Sequence, residues 1–75
     1  MESYANYSGS SGVAALQLGG DYIWVQFTSG SVYEYNYSSA GSGNIEEMKS
    51  LAKSGSGLNS FIMKNVRNNY SRKIR

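Results

Sequence analysis

Apolar positions in this chain follow two regimes, with alternation before about position 37 and helical spacing after position 44. Val13 to Leu18 is a short apolar run stopped by Gly19-Gly20, which predicts a first strand and a tight turn. Asp21 to Thr28 (DYIWVQFT) is loaded with aromatic and β-branched residues, which favour a pleated, half-buried surface, and predicts a second strand. Ser31 to Tyr37 (SVYEYNY) alternates with period two and predicts a third.

The pairing of the second and third strands follows from what each register would bury. Ile23, Val25 and Phe27 share one face of the second strand and point inward. A two-residue loop at Ser29-Gly30 would set Val32, Glu34 and Asn36 beside them; a three-residue loop, Ser29-Gly30-Ser31, sets Tyr33, Tyr35 and Tyr37 there instead. Burying an unpaired carboxylate is costly, whereas tyrosine rings are good core material. The three-residue loop is therefore expected, with Tyr33 and Tyr35 partly in the core.

Ser38 to Gly43 reads as a Ser/Gly loop. Asn44 followed by Glu47 resembles a capping box, and Glu46 and Glu47 suit the positive end of a helix dipole. Ile45, Met48, Leu51 and Ala52 form an apolar stripe closed by Ser54-Gly55. Leu58, Phe61, Ile62 and Val66 mark a second amphipathic helix, with Lys64, Asn65 and Arg67 on its outer and C-terminal side and Asn68-Asn69 as its end. The expected fold is α+β: a three-stranded antiparallel meander followed by two helices packed on one face, βββαα. Residues 1–12 are expected as a flexible lead-in, 13–70 as the folded domain and 71–75 as a basic tail.

A chain of 75 residues is one domain at most. It has no cysteine and no histidine, so neither disulfides nor a zinc cluster can staple it. A core this small gains from self-association, and a homo-oligomer is the expectation. No apolar run approaches the roughly 18 residues of a membrane span, and no signal-peptide pattern opens the sequence, so a cytoplasmic protein is expected.

Charge adds a second asymmetry. All five acids precede position 48 and all seven bases follow it. Such segregation points to a positive field that attracts phosphate groups, the alternative being a solvated helix face with a basic end. Catalytic chemistry has little to work with. Histidine, the usual proton shuttle, is missing, no thiol is present, and Glu46 and Glu47 are adjacent on a helix and do not converge. The chain is expected to be no enzyme, with no cofactor and no metal.

Two candidate binding sites remain. Gly55 to Ser60 (GSGLNS) precedes the second helix, where backbone N–H groups with Ser56, Asn59 and Ser60 offer a phosphate cradle; the alternative is a plain interhelical turn. Tyrosines near Lys64, Arg67, Arg72 and Lys73 offer stacking surfaces beside phosphate-neutralising cations. Tyr22 and Trp24 lie on the face of the second strand away from the core, an exposed aromatic pair suited to an interface.

Phe27-Thr-Ser-Gly-Ser-Val-Tyr-Glu-Tyr35, with Ser56-Gly-Leu-Asn-Ser-Phe-Ile-Met-Lys-Asn-Val-Arg67 and Tyr70, resembles the KTSC domain. That short domain occurs at the C-terminus of some lysyl-tRNA synthetases and stands alone in bacterial and phage proteins. The likeness covers roughly residues 11–70 and places the family's motif on Gly30, Tyr33, Tyr35, Asn65 and Tyr70. The chain departs from the family in carrying a Ser/Gly loop, without proline, after the Tyr-x-Tyr strand. The resemblance implies RNA as a partner. The modest net charge of +2 fits a small anionic nucleotide better, such as a nucleotide signal sequestered by a phage-type protein. The competing expectation is a protein-interaction module or inhibitor working through Tyr22 and Trp24.

Overall fold

The computed structural model describes residues 2–4 and 12–75; of the expected lead-in, residues 1 and 5–11 lie outside the described set. The architecture is α+β. In chain order it comprises β1 (Glu2–Ser3), β2 (Val13–Leu18), β3 (Tyr22–Phe27), β4 (Val32–Asn36), α1 (Tyr37–Ala40), α2 (Ser42–Ser54), α3 (Leu58–Phe61), a π-helical turn over Ile62–Val66, and β5 (Arg72–Lys73). The strands form one antiparallel sheet in the order β1-β2-β3-β4-β5.

The expected meander is the centre of this sheet, and the βββαα order is corrected at both ends and by a further helix, α1, in place of the expected Ser/Gly loop. Glu2 and Ser3 pair with Leu16 and Ala15, and Tyr4 is buried. The expected tail is an edge strand, with Arg72 opposite Glu34 and Lys73 opposite Tyr33. Backbone bonds extend that pairing, from Ser71 N–H to the Glu34 carbonyl at 2.6 Å and from Ile74 N–H to the Val32 carbonyl at 2.7 Å. The outer edge of β4 carries unpaired backbone groups, and the chain end satisfies them.

In the β3–β4 hairpin the facing is as expected but the pairing is two residues off. Tyr35 lies opposite Ile23 and Tyr33 opposite Val25, and the loop is Thr28-Ser29-Gly30, closed by the Phe27 N–H on the Ser31 carbonyl. Gly30 takes the left-handed conformation (φ +98°) in which a side chain is strained. Tyr37 accordingly leaves the sheet and opens α1. Its cap is Asn36, whose carboxamide oxygen accepts from Ser39 N–H at 2.8 Å while Ser39 Oγ accepts from Asn36 N–H at 3.0 Å. The capping box therefore lies at Asn36–Ser39, and the expected one at Asn44 and Glu47 is absent: Asn44 donates its carboxamide to the Ala40 carbonyl.

The apolar stripes behave as their spacing requires. Ile45, Met48 and Ala52 from α2 and Leu58, Ile62 and Val66 from the second helical segment are buried with Ile23, Val25, Leu16 and Tyr35. Each fully buried aliphatic side chain contributes about 1.5–3 kcal/mol relative to exposure. Gly55 ends α2 in the left-handed conformation, its N–H on the Leu51 carbonyl. Among the described residues no helix is long and apolar enough to cross a membrane.

Candidate functional site

Because β4 alternates, Tyr33 and Tyr35 face the helices while Glu34 and Asn36 face away. Tyr35 is 1% exposed and fills the core. Its hydroxyl reaches the Arg67 carbonyl at 3.4 Å, and burial, reinforced by Tyr33 and Tyr70, pushes its pKa up to about 12. Tyr33 is only partly buried, because the helical layer ends at Val66 and the chain turns back through Tyr70 toward β5. The result is a cleft of about 320 Å³ between the β3–β4 hairpin and the segment that follows the π-helical turn.

Aromatic rings and Met63 form its apolar lining. Tyr33 meets Phe27 edge-on at 5.8 Å and Tyr70 at 4.6 Å, and Tyr70 stands perpendicular to Tyr35 at 6.3 Å. Tyr70 and Met63 remain 39% and 42% exposed, so these two present usable apolar surface at the mouth. Polar lining comes from Ser29, Ser31, Arg67 and Asn68, and among the described residues no Asp or Glu lines the cleft. Lys73 stands beside it, with Nζ 6.0 Å from the centre of the Tyr33 ring. Among the described residues Arg67 and Lys73 form no ion pair.

The remaining expected residues are distributed elsewhere. Arg72 is adjacent to Lys73 in a strand, so it emerges on the opposite face, where its guanidinium donates to Glu34 Oε1 at 3.3 Å. Lys64 and Asn65 are exposed on the π-helical turn and do not line the cleft, and Asn65 donates to the Phe61 carbonyl. The Ser56, Asn59 and Ser60 cradle also lies apart from the cleft. Its Leu58 N–H donates to the buried Tyr4 hydroxyl at 3.3 Å, so the N–H that a phosphate would claim already has a partner within the fold. Of the four cations expected to bind phosphate, Arg67 and Lys73 are thus at the cleft, Arg72 is behind the sheet and Lys64 lies outside the lining.

Tyr22 and Trp24 lie on the face away from the helices, as expected, but they are half-buried rather than exposed. The Tyr22 ring rests on Gly19, where any side chain would collide with it. Trp24 lies 6.0 Å from Tyr22, and its Nε1–H donates to Glu34 Oε1 at 2.9 Å. Asn36 adds a bond to Glu34 Oε2 at 3.2 Å. These donors, the indole first, hold the Glu34 carboxyl below its ordinary value.

Of the positions marked by the KTSC resemblance, Tyr33, Tyr35 and Tyr70 line the cleft, and Gly30 sits between two lining serines. Asn65 lies outside it. Sequence reasoning missed Phe27, Ser29, Ser31, Met63 and Asn68 as site residues, since each reads as core, turn, helix or helix stop. Their one shared signal is proximity to the Tyr-x-Tyr strand or to Arg67. Comparison of the chain with family models, with curated proteins and with solved structures gives no match.

Proposed function

We propose that this chain is a non-enzymatic binding module for a ligand that joins a planar ring to a phosphate, the chemistry of nucleotides and of RNA. The carrying observation holds among the described residues: an aromatic cleft whose lining has no Asp or Glu, with two cations at it that have no ion-pair partner. A base on an aromatic ring contributes about 1–3 kcal/mol, and a hydrogen bond to a charged group about 1.5–3 kcal/mol. One stacked base with two phosphate contacts sums to about 9 kcal/mol at most, and subtracting an association cost of about 4 kcal/mol leaves submillimolar binding.

Competing ligand classes fit less well. A quaternary ammonium group would suit an aromatic cage, but Arg67 and Lys73 repel it. A purely apolar ligand would leave Arg67, Asn68 and the two serines desolvated without partners. The KTSC resemblance points in the same direction as the lining, because three of its marked positions converge there.

The test is a calorimetric titration and thermal-shift screen with the four nucleoside 5′-monophosphates, their parent nucleosides and single-stranded RNA. Ligand at about a hundredfold above Kd should raise stability by about 2.7 kcal/mol. Arg67→Ala and Lys73→Ala should each weaken binding by about tenfold, and Tyr70→Ala by at least as much. Nucleosides binding as tightly as their phosphates, or no binding by any of these ligands, would remove the proposal.

A further inference from the structure

We infer that the cleft receives one nucleotide unit, as a mononucleotide or a similarly small nucleotide, and not a run of nucleotides along a strand. The inference rests on the binding function proposed above and names the size of its ligand.

Stacking surface is the first constraint. Tyr35 is buried, and Tyr33 is already in ring contact with both Phe27 and Tyr70. Among the described residues that line the cleft, Tyr70 is the ring most open to a base, with Met63 near it. The other large aromatics of the sheet, Tyr22 and Trp24, are on its opposite face because side chains alternate along β3. Among the described residues, the sheet therefore offers a second base no continuous row of rings beyond the cleft. Single-strand binders, in contrast, set successive bases on successive aromatics along a continuous basic groove.

Charge is the second constraint, and it arises from the same geometry. Sequence alone puts Arg72 and Lys73 side by side, yet in β5 they point to opposite faces. Arg72 is held by Glu34, while among the described residues Arg67 lines the cleft and Lys73 stands beside it. Two cations neutralise one nucleotide's phosphate group and do not track a backbone. The cleft volume of about 320 Å³ falls at the small end of ligand pockets, about 300–1,000 Å³.

Titration calorimetry with the tightest-binding nucleoside monophosphate and its homo-oligoribonucleotides of two, four and eight residues tests the inference. The octamer should bind no more than about eightfold tighter, the statistical factor for its registers on a one-unit site. Its log K against log salt should be no steeper than about −1.4, two contacts at about −0.7 each. Arg72→Gln should leave affinity within about twofold, since that residue lies behind the sheet. An octamer about a hundredfold tighter than the monomer, a steeper salt slope, or an Arg72→Gln loss matching that of Arg67→Ala would overturn the one-unit site while leaving nucleic-acid binding in place. Absence of binding by monomer and oligomers alike would overturn both.

Discussion

Glu34 belongs to a strand whose inward positions are tyrosines, so its carboxylate goes to the helix-free face. There Trp24, Asn36 and Arg72 all donate to it. Its pKa is depressed in the folded protein, first by the indole bond. A depressed carboxyl stabilises the fold above the unfolded-state pKa, and that contribution is lost as pH falls through the folded value. The melting temperature should therefore drop on acidification below about pH 4, and Glu34→Gln should flatten that limb while lowering the neutral melting temperature. Identical acid limbs in thermal melts of the two proteins would refute this. Alternation alone said that Glu34 must avoid the core. Its partners were not legible, because they depend on the loop being Thr28-Ser29-Gly30, which sets Trp24 opposite Glu34. With the loop one position later, Trp24 would have faced Asn36.

At the scale of elements, periodic segments were readable and short ones were not. Ile45, Met48 and Ala52, and then Leu58, Ile62 and Val66, repeat often enough for their spacing to reveal buried faces. Helix α1 has only four residues, and its start signal, Asn36 followed by Ser39, uses serine where a capping box more often shows an acidic or amide residue. Asn36→Ala should cost about 0.5–2 kcal/mol, with about 4–8 °C lost in melting temperature per kcal/mol, while Asn36→Ser should recover much of it. A melt in which both variants match the parent would show that the cap does not stabilise α1. Strand β5 is shorter still. Two residues carry no periodic signal, and what recruits them is the bare edge of β4, a property of the folded sheet.

Across the whole molecule, the cleft draws on residues 27–35 and 63–70, segments joined only by the folding of the helices between them. Tyr33, Tyr35, Arg67 and Tyr70 were legible as candidates from their chemistry. Phe27 and Met63 were not, since a residue half in the core and half at a cleft looks like a core residue in one dimension. The segregation of charge along the sequence was also a poor guide, because pairing of residues 72–73 with β4 sends neighbouring cations to opposite sides of the sheet. One consequence concerns Trp24, the single tryptophan, which leans on Glu34 across the sheet from the cleft. Its emission is a built-in optical gauge of that carboxylate, blind to whatever fills the other side. The spectrum should shift as Glu34 takes up its proton, stay fixed in Glu34→Gln over the same acid range, and remain unchanged when a nucleotide is added. A ligand-induced change would place the occupant beside the indole instead.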